Sequence, residues 1–123
     1  MASGPPPPPC GADALCLGAN DRFEVRAAFR TAGGGAGVGR SVRLTPDSGY
    51  FWFFNPANVE LLVKVLDACG PFDRFWAFTA GVTNVEVELT VRDTTTGAEK
   101  IYRNRLGRPY PPILDTDAFR TCP

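Results

Sequence analysis

The chain has 123 residues, 44% of them hydrophobic, with 13 basic and 13 acidic side chains. This length fits a single domain, and the hydrophobic share argues against wholesale disorder. The formal net charge of zero argues against a nucleic-acid partner, because nucleic-acid binding domains carry a basic excess that neutralises phosphates. The sequence contains no histidine, which excludes serine–histidine and cysteine–histidine catalysis within this chain.

Residues 1–9 are expected to form a flexible Pro-rich linker, followed by one domain over residues 10–123. Five consecutive prolines, at 5–9, favour a polyproline II spacer, which commonly joins a module to a neighbouring domain. The first residues lack the basic start and apolar core of a signal peptide. No run reaches the ~18 apolar residues of a membrane span. We therefore expect an export signal to have been removed or to lie upstream in a longer parent chain.

Four cysteines, Cys10, Cys16, Cys69 and Cys122, favour disulfides over a metal site. No Cys-x-x-Cys pair is present and no histidine could complete a zinc set. An even count fits an oxidising compartment, and so a secreted or cell-surface location. Four cysteines allow three pairings; we expect Cys10–Cys16 to close a short loop and Cys69–Cys122 to tie the C-terminus to the middle of the domain.

Residues 23–30 and 85–92 alternate apolar and polar side chains, which is typical of strands with one wet face. Their predicted inward positions are Phe23, Val25, Ala27, Phe29, Val85, Val87, Leu89 and Val91. A glycine-containing turn follows the second segment. Residues 99–103 are therefore expected to return as its hairpin partner, with outward glutamates facing Lys100 or Arg103. Leu15 and Leu17 are expected to turn inward from a closed N-terminal loop.

Five consecutive aromatic residues, at 50–54, form the most distinctive stretch of the chain. As a strand, it would place Tyr50, Trp52 and Phe54 on one face and Phe51 and Phe53 on the other. We expect both faces to be covered, one by the opposite sheet and the other by the Pro-rich segment 104–121. An exposed aromatic platform for a protein or glycan partner is the alternative.

The remaining segments complete an all-β pattern. Residues 40–44, 59–66 and 74–78 are predicted strands, with 59–66 also compatible with a helix, and the glycine-rich residues 31–39 are predicted to be a flexible connection. No Gly-Lys-Ser/Thr or following helix supports a phosphate-binding loop there. Six to seven short strands with regular turn signals favour an antiparallel β-sandwich, immunoglobulin-like and disulfide-stapled, or a closed barrel.

Several segments together resemble an uncharacterised module that recurs in exported proteins of diverse bacteria, often near the C-terminus or beside other extracellular domains. The resemblance extends from Cys10 to Cys122 and rests on residues 44–54, 58–67, 74–76 and 89–94 and on the Thr-Cys-Pro ending. It implies a secreted or surface β-domain. That module has no known catalytic residues, so none are carried over to this chain.

Three short motifs resemble the loops of chagasin-type cysteine-protease inhibitors, which are immunoglobulin-like domains. They are Asn55-Pro56, Gly33-Gly34-Gly35 and Arg108-Pro109-Tyr110. The glycine-rich motif precedes the Asn-Pro motif here, which differs from the order in that family. The resemblance implies a protease-inhibitor function as an alternative.

The sequence as a whole predicts a non-catalytic extracellular structural or binding module of a larger exported bacterial protein. A protein or glycan partner, or self-association through sheet edges, fits this expectation. No catalytic residue, metal ligand or cofactor is predicted. The sequence also leaves room for a calcium site or a two-carboxylate enzyme, because six aspartates fall in predicted turns: Asp47, Asp67, Asp73, Asp93, Asp115 and Asp117.

Overall fold

A computed structural model describes residues 13–123. They contain a 3-10 turn (Ala19–Asp21), a short helix α1 (Cys69–Phe72) and ten strands. In chain order the strands are β1 (Leu15–Leu17), β2 (Phe23–Arg30), β3 (Ala36–Val38), β4 (Arg40–Thr45), β5 (Ser48–Trp52), β6 (Leu61–Asp67), β7 (Phe75–Gly81), β8 (Glu86–Asp93), β9 (Glu99–Asn104) and β10 (Ile113–Phe119). The Pro-rich linker predicted for residues 1–9 lies outside the described residues.

The strands form two antiparallel sheets packed face to face, which confirms the predicted β-sandwich. Sheet A has the order β1–β2–β8–β9, and β3 pairs with β2 beyond the end of β1. Sheet B has the order β10–β7–β6–β5–β4, so β6 is its central strand. The segment that could have been a helix is therefore a strand, because Leu61, Val63 and Val65 share one buried face at a spacing of two residues.

The core lies between the sheets and takes alternate side chains from nearly every strand. Phe23 of sheet A and Phe75 of sheet B meet edge to face, with ring centroids 4.9 Å apart. Leu15 and Leu17 are buried as predicted, although they lie in a strand rather than a loop. The predicted inward positions of β2 are confirmed, with Phe29 half-buried at the end of the strand.

Gly39 carries the chain from sheet A to sheet B. Strand β3 ends at Val38 and β4 begins at Arg40, so the chain changes sheets within one residue. A Cβ atom at Gly39 would lie 3.0 Å from the Phe53 ring and 3.1 Å from the Phe51 ring. A side chain at this position would therefore displace one or both rings, so glycine lets the backbone cross close to the core.

Ten strands are present among the described residues, where six to seven were expected. The difference is due to three segments whose sequences do not show a strand pattern. The connection predicted for residues 31–39 is a turn only over 31–35, where Thr31 and Gly35 exchange hydrogen bonds, and it continues into β3. Strand β10 follows a proline run, but Ile113–Phe119 contains no proline and its amides are free to pair. Strand β1 is only three residues long.

The expectation that segment 104–121 covers the outer side of the aromatic strand is wrong. Strand β10 instead pairs with β7 and extends sheet B at its edge. The parts of this segment that reach the core are Tyr110, buried against Gly81, and Ala118 and Phe119 at the end of β10. Phe51 and Phe53 are buried as one face of the strand, whereas Tyr50 and Trp52 are half-buried and Phe54 is 56% exposed.

Two cross-links close the sandwich on the β10 side. The predicted Cys69–Cys122 disulfide is confirmed, and its sequence separation of 53 residues corresponds to about 4 kcal/mol in the chain-entropy model. The Tyr102 hydroxyl of β9 donates to the Asp115 carboxylate of β10 at 2.7 Å, which joins the two sheets. Cys16 is also disulfide-bonded, and its predicted partner Cys10 lies outside the described residues.

Candidate binding surface

The outward side of sheet A, here outer face A, is a lattice of alternating charges. Its charged members are four glutamates and four arginines from β2, β8 and β9: Glu24, Glu86, Glu88, Glu99, Arg26, Arg30, Arg92 and Arg103. Arg103 contacts Glu88 at 3.2 Å, as predicted, whereas Glu86 pairs with Arg30 at 3.6 Å. Such exposed pairs contribute little stability, but they keep this face solvated.

The outward side of sheet B, here outer face B, is mostly apolar. Its members from β4 to β10 are Arg40, Val42, Leu44, Ser48, Tyr50, Trp52, Leu62, Lys64, Leu66, Trp76, Phe78, Ala80 and Leu114. Leu44, Leu62 and Leu114 are 57%, 49% and 68% exposed. Contiguous exposed apolar side chains of this kind mark interaction surfaces in soluble proteins.

A groove of about 510 Å³ crosses the strands on outer face B. Leu44 lines it at one edge of the sheet, and Leu114 and Pro112 line it at the other. Ser48, Lys64, Phe78 and Leu114 occupy one row, since each is the registered neighbour of the next. Small residues form part of its floor, which leaves a depression between larger side chains.

Lys64 is the only charged residue among those that line the groove. Its ammonium lies 5.6 Å from the centroid of the Phe78 ring, a cation–π contact. Within residues 13–123 it has no ion-pair partner. By contrast Lys100, the other lysine of the chain, contacts Asp115 at 4.0 Å. The groove therefore combines apolar walls with one unneutralised positive charge.

Next to the groove, three aromatic rings form a continuous cluster. Trp76 and Phe78 stack with centroids 5.8 Å apart, and Phe72 of α1 lies 5.0 Å from Trp76. Phe72 is 58% exposed. The 50–54 stretch, which the sequence suggested as a platform, contributes two half-buried rings to this face, and the three-ring cluster comes from β7 and α1.

A second concave region, of about 390 Å³, lies at the end of the sandwich where the C-terminus is anchored. The Arg22 guanidinium donates to both carboxylate oxygens of Asp93 at 2.9 Å and to the Thr121 carbonyl at 2.7 Å. Arg22 also lies over the Phe75 ring, 4.6 Å from its centroid. This arrangement holds the C-terminal residues onto both sheets.

Asp93 is fully buried and remains ionised. Desolvation alone would raise the pKa of this carboxyl, but hydrogen bonds from Arg22, Thr121 and the Thr95 amide outweigh it and hold the pKa well below its usual range. Its partner responds in the opposite direction: the Asp93 carboxylate raises the pKa of Arg22. The group is a structural anchor, since every polar contact described for it lies within the domain.

The six aspartates considered for calcium are dispersed. Four of them contact cations: Asp93 contacts Arg22, Asp73 contacts Arg74, Asp115 contacts Lys100, and Asp117 contacts Arg74 and Arg120. The two arginines, Arg120 first, lower the pKa of Asp117 to about 2. Asp47 and Asp67 line the smaller concave region. Among the residues that the structure describes, no three His, Cys, Asp or Glu side chains are grouped to hold a metal ion.

The three loop motifs compared with protease inhibitors lie at one end of the sandwich. The glycine-rich turn follows β2, the Asn-Pro motif follows β5, and the Arg-Pro motif follows β9. Stacking of Phe29 on Phe53 at 4.4 Å places the ends of β2 and β5 together. Asn104 donates to the carbonyls of Val85 and Arg108, which ties the loop after β9 to the same end.

The leucines and Lys64 of outer face B were not singled out from the sequence. The available signal was in residues 61–66, where Leu62 and Leu66 alternate with the buried Leu61, Val63 and Val65. A strand that is apolar on both faces is either covered twice or exposed on one side. Only the position of β10 in the sheet decides between these two cases.

Comparison with known proteins found no match: no protein-family model, curated protein or solved structure matches this chain. Within residues 13–123 no helix is long and apolar enough to cross a membrane.

Proposed function

We propose that this chain is a non-catalytic extracellular binding module of a larger exported bacterial protein, and that outer face B is its binding surface. The observation that carries the proposal is the apolar character of outer face B and its groove, in one domain with a mostly charged outer face A. Solvent alone selects for charge on an exposed sheet face, so an apolar face of this extent needs another reason.

The location and the role are supported by separate features. The Cys69–Cys122 disulfide fits an oxidising compartment. The resemblance to the exported bacterial module and the Pro-rich lead at 5–9 fit a domain attached to others. A non-catalytic role is supported by the lack of histidine and by the pairing of four of the six turn aspartates with cations.

Leu62 and Ile101 offer a matched test of the surface. Leu62 is 49% exposed on outer face B and Ile101 is 42% exposed on outer face A. The experiment immobilises the wild-type domain and two variants, Leu62→Asp and Ile101→Asp. Each is then exposed to the culture medium and the envelope fraction of the source organism. We expect the wild type and Ile101→Asp to retain the same protein, and Leu62→Asp to lose it. Equal retention by all three, or retention by none, contradicts the proposal.

A cysteine-protease inhibitor is the second candidate, favoured by the clustering of the three loop motifs at one end. Large apolar side chains are exposed there, among them Phe54 at 56% and Val82 at 74%. Inhibition of papain at micromolar concentration, lost in Phe54→Ala and retained in Leu62→Asp, would support this function. Absence of inhibition eliminates it.

A further inference from the structure

We infer that the groove of outer face B binds an extended segment of a partner protein in which apolar side chains flank a single carboxylate. This inference rests on the proposed binding role of outer face B and specifies the chemistry of the partner. Four features of the groove carry it: its length, the position of its charge, the missing counter-charge and its lining.

The length of the groove sets the size of the segment. It crosses all five strands of sheet B, from Leu44 on β4 to Leu114 on β10. Neighbouring strands are about 4.8 Å apart, so the groove is about 19 Å long. An extended chain rises about 3.3 Å per residue, and about six residues therefore span it.

The position of Lys64 sets the order of side chains. Lys64 lies on β6, the central strand of five, and leucines lie at both ends of the groove. A segment laid along the groove therefore meets Leu44, then the ammonium beside the Ser48 hydroxyl, then Phe78 and Leu114. The complementary order is apolar, acidic, apolar.

Charge complementarity decides between occupants. A wholly apolar segment would bury the Lys64 ammonium without offering it an opposite charge. Burial of an uncompensated charge costs free energy and so disfavours this occupant. A second copy of this chain would bring the same groove, with another Lys64 and no carboxylate in its lining. Residues 1–12 of this chain contain no aspartate or glutamate, so the Pro-rich lead does not supply one either.

The lining also favours a protein over a glycan. Apart from Lys64, its exposed side chains are three leucines and one proline, whereas a sugar presents many hydroxyls that need hydrogen-bond partners. The Thr79 hydroxyl in the lining already donates to the Leu62 carbonyl at 3.0 Å. Leucine, valine or isoleucine side chains would bury apolar area against these walls without leaving polar groups unpaired.

Two synthetic peptides test the inference on the whole domain. One is a capped seven-residue peptide of leucine and valine with a central glutamate, and the other carries glutamine at that position. Amide chemical-shift changes in the ¹⁵N-labelled domain locate each peptide and give its Kd. We expect shifts at Leu62, Lys64 and Phe78, and binding of the glutamate peptide tighter by about fivefold.

Variants of the two lysines complete the design. Lys64→Gln should abolish the preference for glutamate over glutamine, and Lys64→Glu should instead prefer a peptide with central lysine. Lys100→Gln is the control and should change nothing. Equal binding of both peptides in the groove overturns the requirement for a carboxylate while the binding role of outer face B stands. Chemical-shift changes confined to another surface, or no changes at millimolar peptide, overturn the inference. The retention experiment with Leu62→Asp tests the proposed function separately.

Discussion

Outer face A and outer face B cover the same core, yet they meet solvent with different chemistry. On β2 and β8 six of the eight outward positions are charged, and opposite charges face each other across the strands at two of the four pairs, as for Arg30 and Glu86. On β6 and β7 the outward positions include Leu62, Leu66 and Phe78. Sheet A therefore has one buried and one wet face, whereas sheet B has two apolar faces of which only the inner one is covered within the described residues.

Burial within the domain therefore does not explain the apolar character of outer face B. Leu114 at the edge of sheet B is 68% exposed, which is more than any other leucine among the exposed large hydrophobic residues. Removing such a side chain should hardly change the free energy of unfolding but should strongly reduce the affinity for a partner. Of the four experiments below, the first compares an inner with an outer position of β6, and the second compares a buried with an exposed ion pair.

The same substitution should lower the stability of the domain strongly on the inner face of β6 and only slightly on its outer face. Val63→Asp places a carboxylate in the core, where Val63 is 3% exposed, and should abolish folding or cost more than about 4 kcal/mol. Leu62→Asp at the adjacent outward position should change the free energy of unfolding by at most about 1 kcal/mol. Urea denaturation measures both. A large loss of stability in Leu62→Asp would mean that outer face B is structural.

The buried ion pair should matter far more than the ion pairs of outer face A. Arg22→Ala leaves the Asp93 carboxylate buried without its counter-charge and should cost about 3–5 kcal/mol. Arg103→Ala removes an exposed contact to Glu88, where both side chains are at least half-exposed, and should cost no more than about 0.5 kcal/mol. Similar costs for the two variants would show that the charge lattice stabilises the fold.

Acid should weaken the domain through Asp93. The pKa of this carboxyl is lower in the folded domain than its value of about 3.9 in the unfolded chain. As pH falls the unfolded state therefore binds a proton first, so the stabilisation is complete above about pH 5 and is lost as pH falls further. Urea midpoints between about pH 6 and about pH 3 should fall less steeply in Asp93→Asn than in the wild type.

A milder variant provides the control for the acid experiment. Thr121→Val removes one 2.6 Å hydrogen bond to the same carboxylate and keeps Arg22 in place. It should shift the pH dependence in the same direction by a smaller amount. An unchanged slope in both variants would show that other carboxylates, such as Asp117, govern acid unfolding.

The smallest effect concerns the tryptophans of outer face B. Trp52 and Trp76 are both half-buried, so acrylamide should quench their fluorescence to an intermediate extent. The glutamate peptide should reduce quenching only if it also covers this part of the face. Complete protection of both tryptophans in the free domain would restore the expectation that the Pro-rich segment covers the aromatic strand.

The core could be predicted from the sequence because, in a half-buried strand, apolar and polar residues alternate and the apolar ones mark the buried face. Residues 23–30 and 85–92 specify both strand type and inward face, whereas the Cys69–Cys122 pairing was one of three that the four cysteines allow. Outer face B could not be predicted in the same way. On β6, Leu62 and Leu66 are as apolar as the buried Leu61, and Lys64 alone marks the outward face. On β5, the pattern of Tyr50 and Trp52 is equally compatible with a covered face.

The error over residues 104–121 has a physical origin. Prolines at 109, 111 and 112 exclude pairing there, and this exclusion was extended to residues 113–119, which contain no proline. A free β7 edge and paired amides in β10 outweighed the burial of Leu114. The sequence records the hydrogen-bonding capacity of a segment but not which sheet edge is available to it.

The Cys69–Cys122 bond also determines how tension would pass through the domain. A pull applied at Pro123 reaches Cys122 and crosses the sulfur bridge to Cys69, just beyond the end of β6. Strands β7 to β10 lie inside the covalent loop, so the bond keeps their backbone from being extended. When a single molecule is stretched from both ends, the 53-residue span between the two cysteines should therefore add nothing to its extended length. Reduction of the bond should release that hidden length.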